Sequence, residues 1–114
     1  TPEPFRDDVR ALVLGGRNPH WFMGGPRSGT FLHVDPRSTS GWNVCVLGAK
    51  RWLFLPPSTD LARAGLPPLH ATTSEGGVAA WFLDHAPRLR QLHAQGQLPG
   101  FFEAVQQPGD LMFI

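Results

Sequence analysis

Glycine and proline punctuate this chain so densely that long regular elements have little room to form. Thirteen glycines and twelve prolines occur among the 114 residues. Because both residue types favour turns and interrupt helices and strands, the elements between them are expected to be short. Several strand-like runs with few helical ones predict an all-β fold, an antiparallel sandwich or barrel with a few short helices.

The clearest predicted element is a β-hairpin. Two strand-like runs, Trp42–Leu47 and Lys50–Leu55, flank the two-residue connection Gly48-Ala49. The other predicted elements are short helices over Asp7–Val13, Val78–Asp84 (ended or kinked by Pro87) and Arg88–Gln95, and strands over His20–Met23, Phe101–Val105 and Leu111–Ile114.

The composition gives no indication of a nucleic-acid or membrane partner. The net charge is +1, which is too small for a polybasic surface. No apolar run approaches the ~18 residues that cross a bilayer. The single Cys45 excludes an intramolecular disulfide and fits a reducing, intracellular compartment. The chain begins at Thr1 and stops at Ile114 within an apolar run, so a fragment of a longer chain is expected.

The segment Ser28–Pro36 reads SGTFLHVDP, an apolar run interrupted by two polar residues two positions apart. In a strand, residues i and i+2 point to the same face, so His33 and Asp35 would lie together, roughly 6.5 Å apart along the backbone. An imidazole and a carboxylate so placed can hold one metal ion. The alternative is a polar pair that satisfies itself, which is the commoner outcome for an isolated His-x-Asp pattern.

Asn43 and Lys50 are polar residues on an otherwise apolar face of the predicted hairpin. With Gly48-Ala49 as the connection, Leu47 opposes Lys50 and Asn43 opposes Phe54, and opposed residues share a face. A buried lysine without an anionic partner is costly, so its counter-ion is expected to be a bound ligand. A solvated edge lysine, and an asparagine that only ends a strand, are the alternatives.

A site that binds ferrous iron together with a dicarboxylate would use both the His33–Asp35 pair and Lys50. Two histidines and one carboxylate on one face of Fe(II) leave three positions for a co-substrate and O₂. A dicarboxylate that chelates the metal would need a cation and a hydroxyl at its far end. Lys50 offers the cation and Thr30 the hydroxyl, although Thr30 points away from His33 on an ideal strand unless a bulge or turn near Gly29 re-aims it.

The remaining conspicuous side chains are expected to be structural. Cys45 is expected to be a small buried hydrophobe, and Arg88 and Arg90 a solvated helix end. The tryptophans are expected in the core rather than on a substrate platform: Trp21, Trp42, Trp52 and Trp81.

An ordered set of motifs along most of the chain resembles the JmjC (Jumonji-C) domain. Within that family it resembles the small-hydroxylase group that includes the nuclear enzyme once named the phosphatidylserine receptor. The motifs are Trp21-Phe22 with Gly24, Gly25-Pro26-Arg27-Ser28-Gly29-Thr30, His33-Val34-Asp35-Pro36, Trp42-Asn43, Gly48-Ala49-Lys50-Arg51-Trp52, Phe54-Leu55-Pro56-Pro57, Trp81-Phe82 and Pro108-Gly109-Asp110-Leu111-Met112-Phe113-Ile114.

The resemblance implies a double-stranded β-helix, the cupin-like jelly roll, with residues 1–114 forming part of one JmjC domain that is truncated before its last strands. It implies an Fe(II)- and 2-oxoglutarate-dependent oxygenase. His33 and Asp35 would be iron ligands, and a third ligand, a histidine, is expected beyond Ile114. The co-substrate 2-oxoglutarate would contact Thr30, Asn43 and Lys50, with Lys50 pairing its distal carboxylate.

The implied reaction is hydroxylation of a protein side chain, or N-demethylation through hydroxylation, and the motifs do not separate the two. The implied partner is a protein or peptide, such as a histone or an RNA-processing protein, in the nucleus. Two alternatives stay open: a catalytically inactive cupin-fold binding module, and another metal-dependent cupin that has no special use for Asn43 and Lys50 on one face.

Overall fold

The computed structural model describes residues 20–71 and 74–114, which contain four strands and one α-helix. The strands are β1 (Trp42–Val44), β2 (Lys50–Phe54), β3 (Phe102–Gln106) and β4 (Leu111–Phe113), and the helix is α1 (Gly77–Ala94). Short 3-10 turns lie at Pro36–Ser38 and Leu69–Ala71.

The two strands predicted near the C-terminus are confirmed to within one residue at each end, as β3 and β4. The strand predicted over His20–Met23 is wrong, because these residues have no regular structure and their side chains are exposed. The helix predicted over Asp7–Val13 lies outside the described residues.

The strands pair in two antiparallel ribbons rather than in the predicted hairpin. β1 pairs with β4, with Trp42 opposite Phe113, whereas β2 pairs with β3, with Lys50 opposite Gln106. The β1–β2 hairpin predicted from the sequence is therefore wrong. Each of its strands instead finds a partner in the C-terminal part of the chain.

The connection between β1 and β2 explains why they do not pair. Cys45 extends the β1–β4 ladder, since its amide donates to the carbonyl of Asp110 and its own carbonyl accepts from the amide of Gly109. Gly48 then adopts a φ of +78°, a conformation that glycine reaches without steric cost. The chain leaves the first ribbon there and enters the second at Lys50.

Helix α1 is a single 18-residue helix that continues through Pro87. The sequence predicts two shorter helices meeting at this proline, and that prediction is wrong. Proline removes the hydrogen bond from position 87 to the carbonyl of Leu83. Leu83 and Pro87 lie on the exposed side of α1, where water can take that bond, while Trp81 and Leu89 are buried on the other side. Packing of the buried side therefore outweighs the missing bond.

The buried core lies between α1, the loop before it and the segment that leads to β3. Its members are Ala64, Leu66, Trp81, Leu89, Leu98 and Phe101. Leu53 and Leu55 pack against this cluster from β2, and Phe31 and Leu32 pack against it from the segment that carries His33. The core thus anchors the segment that carries His33 and Asp35 and the strand that carries Lys50.

The expected burial of the tryptophans and of Cys45 is met only in part. Trp81 and Cys45 are buried, at 2% and 1% exposure, as predicted. Trp52 is half-buried. Trp21 and Trp42 are 75% and 36% exposed, so the prediction that they belong to the core is wrong for this part of the chain.

An ionic cluster fastens α1 to the β2–β3 ribbon. Glu103 on β3 accepts hydrogen bonds from Arg90 of α1 at 2.6 and 2.9 Å and from Arg51 of β2 at 3.1 Å. The bonds from Arg90, followed by its charge and that of Arg51, hold the pKa of Glu103 below its ordinary value of 4.5. Arg51 also lies over the ring of Phe82 on α1, 5.5 Å from its centroid.

Arg88 and Arg90 are therefore more than the solvated helix end that the sequence predicts. Arg90 pairs with Glu103, and Arg88 Nε donates a 3.1 Å hydrogen bond to the carbonyl of Ala64. Both contacts join α1 to neighbouring segments across long stretches of sequence, which local patterns cannot indicate.

The described elements are compatible with the predicted β-rich class, although α1 is longer than the short helices expected. The double-stranded β-helix stays a prediction. Within residues 20–71 and 74–114, no helix has both the length and the apolar character needed to cross a bilayer.

Candidate metal and anion site

His33 and Asp35 meet in an irregular, solvent-exposed segment. His33 Nε2 lies 3.2 Å from Asp35 Oδ1, and the two side chains are 53% and 49% exposed. The strand predicted here is wrong, because residues 28–35 have no regular structure and Pro36 begins a 3-10 turn. The backbone of Asp35 is nevertheless extended, with φ −60° and ψ 147°. The two side chains therefore meet as expected, but without a sheet to align them.

A backbone contact determines which nitrogen of His33 faces the carboxylate. Nδ1 lies 2.7 Å from the carbonyl oxygen of Phe31, and a carbonyl can only accept, so Nδ1 carries a proton. In the neutral imidazole, Nε2 then presents a lone pair to Asp35, which is also an acceptor. Two acceptors 3.2 Å apart repel unless a proton or a metal cation lies with them. A positively charged species close to both atoms would remove that repulsion.

Lys50 and Asn43 form a second polar pair. Lys50 Nζ donates a 2.8 Å hydrogen bond to Asn43 Oδ1, and both residues are half-buried. Lys50 is the only lysine in the sequence. In the part of the chain that the structure describes, no carboxylate pairs with it. A half-buried ammonium whose partner is a neutral oxygen keeps an uncompensated charge, which an anionic ligand would neutralise.

The contact between Lys50 and Asn43 agrees with the predicted common face, but it arises differently. Asn43 belongs to the β1–β4 ribbon and Lys50 to the β2–β3 ribbon, so the pair spans two ribbons instead of lying within one hairpin. Its geometry consequently depends on how the two ribbons are held together.

Gln106 joins the two ribbons beside this pair. Its side chain is 1% exposed, and its Cα stands opposite that of Lys50 in the β2–β3 register. Its Oε1 accepts a 2.9 Å hydrogen bond from the indole Nε1 of Trp52. Its Nε2 donates to the carbonyl oxygens of Asn43 and Asp110, each at 2.9 Å. One carboxamide therefore contacts β1, β2 and the turn before β4.

Sequence reasoning missed Gln106, although a signal for it exists. In a strand that reaches position 106, Phe102, Ala104 and Gln106 lie on one face. A glutamine that completes an apolar face is expected to be buried and hydrogen-bonded. The neighbouring Gln107, which is exposed, obscures this signal by making the pair look like an ordinary polar turn.

Thr30 is an exposed residue in the same irregular segment as His33. A turn does precede it, closed by a 3.1 Å bond from the amide of Ser28 to the carbonyl of Gly25. Gly29 passes so close to α1 that a Cβ there would lie 3.4 Å from Cγ1 of Val78. Among the described residues, no hydrogen bond joins the Thr30 hydroxyl to another candidate residue.

The candidate residues thus form two pairs and one separate hydroxyl. His33 and Asp35 are of the types found in the histidine and carboxylate set that binds Fe(II), and together they correspond to two of its three donors. Residues 20–71 and 74–114 contain no group of three or more His, Cys, Asp or Glu side chains that could hold a metal ion. His33 and Asp35 are therefore donors of the kinds that iron prefers, but the described residues bring together two donors where the set has three.

A surface cavity of about 230 Å³ lies between the loop after β2 and the C-terminal part of α1, and none of the candidate residues lines it. Its walls are formed by Pro56, Ser58, Thr59, Asp60, Arg63, Ala64, Leu92, Gln97, Leu98 and Pro99.

Comparison with known proteins places the chain among oxygenase-type relatives. It is 39% identical to the bifunctional arginine demethylase and lysyl-hydroxylase psr-1 of Caenorhabditis briggsae, over 99% of the chain and 29% of that protein. It is 30% identical to the arginine-specific demethylase JMJ22 of Arabidopsis thaliana, over 99% of the chain and 22% of the relative. It is 31% identical to the mouse 2-oxoglutarate and iron-dependent oxygenase JMJD4, over 90% of the chain and 22% of the relative.

The resemblance to the JmjC domain is confirmed by these matches: the chain is a homologue of JmjC-type protein demethylases and hydroxylases. It spans less than a third of the length of the relatives described. No protein-family model matches the chain, and no solved structure matches it.

Proposed function

We propose that this chain is part of an Fe(II)- and 2-oxoglutarate-dependent oxygenase that acts on a protein side chain. One observation carries the proposal: an imidazole and a carboxylate converge at 3.2 Å, while a half-buried ammonium, contacted by an amide oxygen at 2.8 Å, has no described anionic partner. A metal ion would satisfy the first of these features, and an anionic ligand such as a dicarboxylate would satisfy the second. The names of the relatives, which include an iron- and 2-oxoglutarate-dependent oxygenase, support the same combination.

His33 and Asp35 would hold the metal. The carbonyl of Phe31 keeps the proton on Nδ1 of His33, which leaves the lone pair of Nε2 for the ion. Asp35 adds a carboxylate oxygen beside it as a second donor to the ion. The third ligand, a histidine after Ile114, belongs to the proposal. When bound, the iron would supply the oxidation of a C–H bond by O₂, coupled to conversion of 2-oxoglutarate to succinate and CO₂.

Lys50 would bind the distal carboxylate of 2-oxoglutarate. Its Nζ has donors beyond the one used by Asn43, because an ammonium carries three. Asn43 would orient the ammonium and could donate from its own amide to the same ligand. Thr30, which is exposed and near His33 in sequence, would add a hydroxyl once the ligand is present.

The proposed substrate is a side chain of a protein, such as a histone or an RNA-processing protein, and the proposed compartment is the nucleus. The names of the relatives include both an arginine demethylase and a lysyl-hydroxylase. Both outcomes follow from one chemistry, because hydroxylation of an N-methyl group gives an unstable carbinolamine that releases formaldehyde. Hydroxylation of a carbon further from nitrogen leaves a stable alcohol.

A second candidate function is a non-catalytic binding module of the same fold. The observation that favours it is the number of metal donors, since the described residues bring together two and not three. Such a module would bind 2-oxoglutarate or a peptide without catalysing a reaction on either.

A single assay of the full-length protein separates these functions. The protein is incubated with Fe(II), 2-oxoglutarate and histone or splicing-factor peptides, and succinate and peptide mass are measured together. The oxygenase predicts succinate formation with a peptide that gains one oxygen or loses one methylene. Absence of succinate, with binding of 2-oxoglutarate retained in calorimetry, would favour the binding module.

A further inference from the structure

We propose that Gln106 is a positioning residue that holds Lys50 and Asn43 ready for the distal carboxylate of the co-substrate. The inference deepens the proposed function and rests on it, because it assigns a supporting role at the same anion-binding pair. It concerns a side chain that would not itself touch 2-oxoglutarate.

The first support is that both hydrogens and the oxygen of the Gln106 carboxamide form hydrogen bonds. Both Nε2 hydrogens are engaged, by the carbonyls of Asn43 and Asp110, and Oε1 accepts from the indole of Trp52. All three contacts are 2.9 Å long, and the side chain is 1% exposed. A buried amide with its donors fully used cannot rotate without leaving polar groups unpaired, so it fixes the positions of its partners.

The second support is where those partners lie. Asn43 and Lys50 stand on different ribbons, and the loop that connects the ribbons includes Val46 and Leu47, which are 66% and 91% exposed. A loop with so little packing does not set the spacing between the ribbons. Gln106 stands opposite Lys50 and bonds the backbone of Asn43, so it ties together the two positions whose side chains meet at 2.8 Å.

The third support is chemical. Position 106 requires a side chain that donates to two carbonyl groups and accepts one hydrogen bond from an indole. Only a carboxamide of this length provides all three. A glutamate would lose the donors and place a carboxylate opposite Lys50, where it would compete with the anionic ligand. Glutamine therefore fixes the backbone of Asn43, whose side chain contacts the ammonium, and adds no charge that would compete with the ligand.

The test compares isosteric variants in the full-length protein. The Kd of 2-oxoglutarate is measured by calorimetry in the presence of Mn(II), and the Kd of Mn(II) is measured separately. Gln106→Met is expected to raise the Kd of 2-oxoglutarate about tenfold or more, while the Kd of Mn(II) stays within about twofold. Gln106→Glu is expected to weaken 2-oxoglutarate binding further. The same change at an exposed neighbour, Gln107→Met, is the control and should alter neither constant.

A double variant distinguishes positioning from a general loss of structure. If Gln106 acts through Lys50, then Gln106→Met should add little to the loss caused by Lys50→Ala, because the two act as one unit. Fully additive losses, or equal losses of 2-oxoglutarate and Mn(II) binding, would overturn the positioning role. Unchanged 2-oxoglutarate binding in Gln106→Met, with Lys50→Ala impaired, would also overturn it.

A milder variant keeps the proposal testable if Gln106→Met fails to fold. Trp52→Phe removes the indole donor to Gln106 and leaves both carbonyl contacts, and it is expected to raise the Kd of 2-oxoglutarate about threefold with Mn(II) binding unchanged. Parallel losses of both ligands in this variant would overturn the inference. If the wild-type protein does not bind 2-oxoglutarate, or if Lys50→Ala binds it normally, the proposed function itself fails.

Discussion

The two polar pairs of this molecule are built on different kinds of backbone. His33 and Asp35 lie on an irregular segment and are each about half exposed, whereas Lys50 and Asn43 are half-buried on paired strands. Gln106 ties the second pair to both ribbons, and nothing of that kind is described for the first pair. The contrast indicates that the proposed anion pair is ordered by the scaffold before a ligand arrives, whereas the proposed metal pair would be completed by a bound ion.

The largest expected effect is on turnover, and it comes from removing the carboxylate of the proposed metal pair, His33 and Asp35. In the full-length protein, Asp35→Ala should reduce turnover more than about 100-fold, since removal of groups that merely orient metal ligands already costs 10–100-fold. Succinate formation and the Kd of Mn(II) measure it. Because Asp35 is 49% exposed on the side chain, thermal unfolding should change little. Asp84→Ala, at an exposed helical carboxylate, is the matched control. Wild-type turnover in Asp35→Ala would show that the ligand assignment is wrong.

A substitution in the proposed anion pair, Lys50 and Asn43, should affect binding of 2-oxoglutarate but not binding of the metal. Lys50→Ala is expected to raise the KM for 2-oxoglutarate roughly 10- to 150-fold, because a hydrogen bond to a charged group contributes about 1.5–3 kcal/mol. The Kd of Mn(II) should stay the same, which sharpens the distinction between the two pairs. Arg63→Ala removes a cation from an exposed position and serves as the control. Equal losses of metal and 2-oxoglutarate binding would contradict the separation of the pairs.

The ionic cluster on the other face of the β2–β3 ribbon gives a smaller, pH-dependent effect. The pKa of Glu103 is lowered in the folded chain, chiefly by hydrogen bonds from Arg90, so its ionised form favours folding. That contribution is fully present above the ordinary pKa of 4.5 and is lost as the pH falls through the lower folded pKa. Glu103→Gln should therefore lower the free energy of unfolding by about 1 kcal/mol at pH 7 and have less effect at pH 3.

Urea unfolding at the two pH values measures the Glu103→Gln effect, with Glu75→Gln, at an exposed position, as the control. An equal loss of stability at pH 3 and pH 7 would show that the carboxylate charge is not what stabilises the cluster. Site affinities measured well below the unfolding transition should be unaffected, because the cluster lies on the face that meets α1 and not on the face of Lys50.

The smallest expected effect concerns the connection between the ribbons. Gly48→Ala should destabilise the protein by about 1 kcal/mol, because Gly48 has a φ of +78° and a Cβ there has open space around it but a strained backbone. Gly25→Ala is the control, since that glycine also has open space but no positive φ. Thermal unfolding measures both variants. If the two glycines respond alike, the backbone conformation of Gly48 does not constrain the connection.

Local sequence signals were sufficient for much of the local structure. The runs that became β3 and β4 are apolar and separated by a Pro-Gly-Asp turn, and such features depend on near neighbours alone. The proximity of His33 and Asp35 was also anticipated from their spacing, whereas for Lys50 and Asn43 only a common face was predicted, and it was derived from a hairpin that does not form. Their roles in binding stay predictions.

The pairing partners of the strands could not be read from the sequence. Gly48-Ala49 is a plausible hairpin connection, yet β1 and β2 each gain more from strands far along the chain. Such a choice depends on packing against the rest of the fold and not on local preference. The same reason explains why α1 continues through Pro87, since the buried side of the helix compensates for a bond missing on its exposed side.

The long sequence separation within the Gln106 contacts has a consequence for synthesis of the protein. Gln106 follows Asn43 by 63 positions, so a ribosome that adds 5–20 residues per second delivers it roughly 3–13 s after the residue it must hold. During that interval β1 and β2 lack β4 and β3, the strands with which they pair, and unpaired strand edges are surfaces prone to aggregation. If Gln106 has the proposed positioning role, affinity for a diacid can arise only after β3 has been synthesised.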